Sequence, residues 1–390
     1  MEHLLAQYST FREPALTDRF FKHAALQPLL DRLPPAFSVE EIGQSAEGRS
    51  LRLVSWGNGP VKIFLWSQMH GDEATGTMAM FDLFRFLDHP AFKEEWKQIQ
   101  EHCTLLLLPM VNPDGAERFT RRSAQGIDIN RDYLQTVTAE ARVLKATRER
   151  HTPDYGFNLH DQSTLWSVAA TGKPASLSYL APADTPGLTF GPARTRAAAV
   201  IAQMYSRISP LVPDQIGLFD DSHEPRAFGD NFQQAGMATI LIEAGGLQRD
   251  PEKQRLREYY FLSILAGLQA IAGGVSPGNA LDRYFEIPKN SETLMHVMLR
   301  RVQVNGVVAD IGLNYQEIPE HNAATTAQFY QVKDLGDLHS YQAYEEITGE
   351  ALRIAVPVHV ESEADFDLHD GERIILSFRK GRRNKNFILS

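Results

Sequence analysis

The sequence predicts an α/β protein: a mixed sheet with helices on both faces, followed by a small β domain. Strand-like apolar runs alternate with helix-like segments from about residue 40 to 272. The chemically distinctive residues each follow one of those runs, and in such sheets ligands bind beyond the carboxyl ends of the strands. Past a Gly/Pro/Ser-rich stretch at 273–280 (GGVSPGNA), the chain changes to short β-rich runs separated by turns.

In chain order, residues 17–33 repeat apolar side chains at helical spacing, with Thr17 or Asp18 as the cap. The segment 37–59 alternates in strand fashion, punctuated by Gly43, Gly48, Gly57 and Gly59. Residues 61–66 (VKIFLW) read as a short strand and 74–88 as a helix. Residues 104–108 (TLLLL) read as a buried strand stopped by Pro109. Helices are expected at 138–150, 193–207 and 252–272, and central strands at 156–159 and 238–242. The stretch at 273–280 reads as a linker, giving a larger domain over 1–273 and a small β-rich domain over 280–390.

Composition removes several classes of function. The 390 residues carry a formal net charge of −10, which argues against a general nucleic-acid binder. The basic run Arg379–Lys385 is the local exception and reads as a solvated tail. No stretch reaches the ~18 apolar residues that span a bilayer. The start, MEHLLAQYSTFREPALTDRFF, lacks the basic opening and continuous apolar run of a secretory signal, so a cytoplasmic protein is expected. Cys103 is the single cysteine, so no disulfide can form within the chain. At the head of an apolar run it reads as a buried packing residue.

Four motifs carry the chemistry. His70-Gly71-Asp72-Glu73 is an H-x-x-E, a spacing that lets an imidazole and a carboxylate converge on one point. Zinc accepts both ligand types, and a catalytic site needs a third protein ligand and an open position. Alone, the motif is equally a polar loop. His160 ends the run FNLH and taken singly could be a core histidine. Glu243 ends ATILIE. A carboxylate closing a buried strand must be paired, metal-bound or shifted in pKa, and Gly245 and Gly246 after it allow close approach of backbone or ligand. The stretch 112–133 (NPDGAERFTRRSAQGIDINRDY) sets Arg121, Arg122 and Arg131 beside Asn130, and arginine forks suit carboxylates and carbonyls.

In their order along the chain (the H-x-x-E, then 112–133, then His160, then Glu243), the four motifs resemble the zinc carboxypeptidase family of carboxypeptidase A type, over roughly residues 40–270. The lead-in IGQSAEGRSL and the run KIFLWSQMHGDE are similar to the family's approach to its site. The resemblance implies one zinc ion held by His70, Glu73 and His160. It implies that Asp128 orients His70 and that Asn130 and Arg131 grip a substrate's terminal carboxylate. Arg121 would polarise the scissile carbonyl. Glu243 would be the general base, then the acid, that takes a proton from the attacking water and gives it to the leaving amine. The partner implied is a peptide or small amide with a free carboxylate.

The sequence departs from the family in two places. Ser123 stands where many relatives have asparagine, with Arg122 next to Arg121. The stretch before Glu243 also lacks the mobile tyrosine of digestive relatives; His223 and Arg226 are candidates for its substrate-facing place. Their plain alternative is a turn at His223–Pro225 with Arg226 paired to Asp230. Two competing readings stay open: an N-acyl amino acid deacylase of the succinylglutamate desuccinylase or aspartoacylase type, suggested by the β-rich C-terminal segment, and a non-catalytic binding protein on the same fold.

Overall fold

The computed structural model describes residues 1–275, 278–320 and 325–384. Residues 276–277 of the expected linker and Lys385 of the basic run lie outside them. The chain folds as two compact units. The first comprises Met1–Thr164 and Ala175–Asn290; the second comprises Leu165–Pro174 and the chain from Ser291 onward.

The first unit is built on an eight-stranded sheet. Its strands are β1 (Phe37–Gln44), β2 (Ser50–Trp56), β3 (Val61–Ser67), β4 (Cys103–Leu108), β5 (Tyr155–Asp161), β7 (Leu177–Leu180), β8 (Ile216–Leu218) and β9 (Ala238–Ala244). The two-residue strand β6 (Ser167–Val168) pairs outside it, with β10 (Asn290–Ser291). The order is β1-β2-β4-β3-β5-β9-β7-β8. Strands β4, β3, β5 and β9 run parallel in the middle. These are the runs that read as continuously apolar, because both faces are covered. Along β3 the alternation is explicit. Ile63 and Leu65 join a large core containing Phe81, Met204 and Phe261 from the helices Thr75–Asp88, Pro192–Ile208 and Leu256–Ala272. Phe64 and Trp66 face the other way, onto Leu144 and Phe232 from the helices Ala139–His151 and Phe228–Gln234.

Two helices are shorter than their periodicity predicts. Over 17–33 only His23–Asp31 is helical, with Lys22 as N-cap. The Asp18 carboxylate accepts the Phe20 N–H at 3.1 Å, a local turn that competes with a helix start. The expected helix 252–272 begins at Leu256. Ahead of it, the Asp250 carboxylate accepts the N–H groups of Gln254, Arg255 and Leu256 at 2.8, 3.0 and 2.8 Å. The first unit also extends beyond 273: the helix Ala280–Phe285 packs Tyr284 into its core, and Ile287 follows.

The second unit has its own core and a sheet of strands β11 (Leu294–Val304), β12 (Val307–Pro319), β13 (Thr326–Gly336), β14 (Gln342–Ile347), β15 (Leu352–Arg353), β16 (Asp367–Asp370), β17 (Arg373–Arg379) and β18 (Arg382–Arg383). The order is β13-β12-β11-β15-β16-β17-β18, with β14 also on β11. Residues 165–174 belong to this unit through Ser167, whose hydroxyl bonds Ser291 Oγ at 2.8 Å and Thr293 Oγ1 at 2.7 Å.

His296 makes this unit sensitive to acid. Its buried ring stacks on Tyr315 at 3.6 Å, and Nδ1 accepts the Tyr315 N–H at 3.0 Å. Burial pushes its pKa down to about 3. An unfolded histidine titrates near 6.5. The unfolded chain therefore takes a proton below about 6.5 that the native ring refuses until about 3. Stability is full above that range and is lost as pH falls through it, at about 1.4 kcal/mol per pH unit. His296→Asn, which can keep the acceptor, is expected to remove about 2 kcal/mol of the stability loss between pH 7 and pH 5, read from urea unfolding.

Candidate metal centre

The site lies at the carboxyl ends of the parallel strands, where the motif positions predicted it. His70 and Glu73 sit in the turn after β3. Gly71 fixes how closely that turn packs: a Cβ there would lie 2.1 Å from the Gly115 carbonyl carbon and 2.3 Å from Ala116 N. No residue with a side chain fits, so the HGDE turn is keyed to the NPDG segment after β4. Gln68 braces the turn by donating to the Gly71 carbonyl at 3.0 Å.

His160 and Glu243 are register partners on the neighbouring parallel strands β5 and β9. Parallel pairing brings two residues 83 positions apart side by side on one face. Gly245 meets the expected close approach, since a Cβ there would be 2.0 Å from the Ala175 carbonyl oxygen.

His70, Glu73 and His160 are buried, and one ligand atom of each lies within 4.8 Å of the others. His70 Nδ1 is 2.6 Å from Glu73 Oε1, and His160 Nδ1 is 2.7 Å from Glu73 Oε2. Two imidazole nitrogens and a carboxylate oxygen are a donor set suited to zinc. Asp128 Oδ1 is 3.1 Å from His70 Nε2, which leaves Nδ1 as that ring's metal-facing atom.

The electrostatics follow from this crowding. Burial works against the His70 imidazolium, but the Glu73 and Asp128 carboxylates outweigh it and raise its pKa to about 9. Burial also opposes ionisation of Glu73, yet His70 and His160 hold that carboxyl well below the usual range. His160 is pushed down, chiefly by burial. At pH 7, then, His70 carries a proton that a metal must displace. Zinc uptake near pH 7 is expected to release about one proton, with affinity rising about tenfold per pH unit up to about 9. Titration calorimetry in two buffers of different ionisation enthalpy measures it; equal heats in both would show no proton release.

Arg121 and Arg122, adjacent in sequence, are separated by the structure. Arg121 Nε donates to Asp128 Oδ2 at 3.1 Å and its NH1 to Glu73 Oε1 at 3.2 Å, with a side chain 44% exposed. Arg122 is exposed and donates to the Gly126 carbonyl. Glu243 is buried, and its Oε2 has no hydrogen-bond partner among the described residues. Burial, then the Glu73 and Asp161 carboxylates, push its carboxyl well above the usual range, opposed by Lys253 and Arg121.

Asn130 and Arg131 lie in the short 3-10 turn Ile129–Arg131, beyond the helix Pro113–Arg118 that follows β4. Asn130 Oδ1 accepts the Phe228 N–H at 2.9 Å, and Arg131 Nε pairs with Glu224 at 3.1 Å. Arg226 pairs with that same Glu224, at 2.9 and 2.8 Å, rather than with Asp230, whose carboxylate instead accepts the Glu224 N–H. The Arg226 guanidinium holds Glu224 down to about 2, with Arg131 assisting. Neither His223 nor Arg226 makes a hydrogen bond or ion pair with His70, Glu73, His160 or Glu243 among the described residues. Two groups at the site went unread in the sequence, Asp161 and Lys253. An aspartate directly after His160 was a visible signal; Lys253 lies in a charged stretch that reads as the start of a helix.

A buried His–Glu–His set at the carboxyl ends of a mixed sheet, with a glutamate on the adjoining strand, defines a candidate mononuclear metal site on an α/β fold. Residues 23–165 match the family model for zinc carboxypeptidases. Glu243 lies outside the matched segment, so its place at the site rests on the strand register. Among curated proteins, the chain is 25% identical over 192 residues to a probable carboxypeptidase 2 of Trichophyton verrucosum, covering 49% of this chain and 30% of that one. It is 29% identical over 192 residues to the corresponding protein of Arthroderma benhamiae, again 49% and 30%. The chain thus spans under a third of the length of these relatives. A metallo-carboxypeptidase structure from Burkholderia cenocepacia shares the fold at a TM-score of 0.54 and 15% identity, over 65% of this chain and 69% of that one.

Proposed function

We propose that the protein is a zinc-dependent carboxypeptidase that hydrolyses the C-terminal amide bond of a peptide or peptide-like substrate. The convergence of His70, Glu73 and His160, with Glu243 beside His160, carries this reading. The residues present fit a zinc ion, which when bound lowers the pKa of water and acts as a Lewis acid.

The chain's own groups supply the rest. Asp128 holds the His70 ring through Nε2 and at the same time grips Arg121, so a metal ligand and a carbonyl-polarising cation share one anchor. Glu243, buried and without a partner on Oε2, is placed to accept a proton from the attacking water and pass it to the leaving amine. The exposed Arg121 guanidinium offers donors where negative charge develops on the carbonyl oxygen. Arg131 already holds a protein carboxylate, that of Glu224, which supports its reading as the grip for a substrate's terminal carboxylate.

The test is a substrate panel on the zinc-loaded protein: peptides with free C-termini, the same peptides amidated, and N-acyl amino acids. Turnover of the free peptides alone is expected. Turnover confined to N-acyl amino acids would replace this reading with the deacylase one; zinc binding with no turnover of any class would favour a binding protein.

A further inference from the structure

The parallel strands that carry His160 and Glu243 end in a buried clamp. Asp161 and Ala244, each directly after one of those residues, face each other across β5 and β9. Lys253 reaches both. Its Nζ donates to Asp161 Oδ2 at 2.9 Å and to the Ala244 carbonyl at 2.9 Å. The Lys253 and Asp161 side chains are each only 5% exposed. Thr75 Oγ1 donates to the same Asp161 oxygen at 2.7 Å, and the Asp161 N–H donates to Glu73 Oε2 at 3.1 Å. One ammonium therefore connects the strand end that aims Glu73 and His160 to the strand end that carries Glu243.

This arrangement is costly to build. Lys253 has φ +51°, a left-handed conformation unfavourable for a residue with a side chain. The Asp250 carboxylate holds the turn by accepting three successive N–H groups. Burying an ammonium is unfavourable unless it is paired. The strands do not need the clamp to stay together: their ladder runs seven residues, and the Tyr260 hydroxyl already donates to the Ile242 carbonyl at 2.8 Å. What Lys253 adds is a fixed offset between Glu243 and the metal donors.

We propose that Lys253, acting through Asp161 and Ala244, is a positioning residue that sets the distance between the Glu243 carboxylate and the metal-ligand set. The inference rests on the function proposed above. A misplacement of about 1 Å at a reacting group can cost on the order of 100-fold in rate without touching substrate contacts.

The experiment compares the zinc-loaded full chain with Lys253→Met, which keeps the stem and removes the ammonium, and with Asp161→Asn, which loosens the same link from the other side. Each is expected to keep one zinc per chain and to lower kcat by about 10- to 100-fold with KM within about threefold. The double variant is expected to be no worse than the poorer single one, because both act on one link. Wild-type kcat in either folded variant overturns the proposal, as does a loss confined to KM. Visible spectra of the cobalt-substituted proteins give a readout free of turnover. The bands of Lys253→Met are expected to shift from those of wild type, and superimposable spectra overturn the clamp even if wild type cleaves no peptide. Failure of wild type on the whole substrate panel would instead sink the proposed function.

Discussion

Glu243→Gln is expected to bind zinc as wild type does and to lose turnover on the order of 100- to 10,000-fold. Glutamine preserves the shape of the side chain but cannot accept a proton from water. The substitution also carries a second, opposite signature. Burial and the nearby Glu73 and Asp161 carboxylates disfavour an ionised Glu243. A neutral amide at that position is therefore expected to raise the unfolding midpoint at pH 7 while activity falls. Metal analysis, steady-state kinetics and a thermal melt measure the three quantities. Equal kcat would remove Glu243 from the mechanism, and a lowered melt would show that its carboxylate is structural.

The largest loss of stability is expected from Arg257→Met. Arg257 and Asp82 are both fully buried and joined by two bonds, Nε to Oδ2 at 2.6 Å and NH2 to Oδ1 at 2.5 Å. Arg257 also donates to the carbonyls of Leu16 and Glu13, and Asp82 accepts the Tyr8 hydroxyl and the Glu13 N–H. The pair is thus the anchor that holds the N-terminal segment on the first unit. Removing one partner leaves an uncompensated buried charge, at a cost of about 3–5 kcal/mol. Arg257→Met combined with Asp82→Asn is expected to recover part of that loss, because no bare carboxylate remains. Urea unfolding of the four proteins gives the cycle, and a single-variant loss under about 1 kcal/mol would contradict it.

What could be read from the residues follows from the range over which each interaction acts. The strands β3, β4, β5 and β9 were legible because burial on both faces demands unbroken apolar runs. His70, Glu73, His160 and Glu243 were legible because each follows such a run. The pairing of Arg226 with Glu224 rather than Asp230 was not legible, because two carboxylates within reach in sequence compete on geometry alone. Lys253 was hidden for a related reason. In RDPEKQR nothing marks one lysine as buried, and only Asp250, by capping three N–H groups, bends the chain so that it turns inward. Residues 17–22 read as helix because periodicity cannot register the turn at Asp18.

The β-rich C-terminal segment is not a module that can simply be trimmed away. Its unit takes in residues 165–174, an excursion that leaves the chain four residues after the terminus of β5 and rejoins at Ala175. A protein cut after Asn290 would strand that excursion, with Ser167 deprived of the Ser291 and Thr293 hydroxyls. The slack would open a few residues from His160. Shortening the gene is thus a disturbance next to the strand that carries His160, and any change in metal binding on truncation reports on that tether before it says anything about a separate role for the terminal segment.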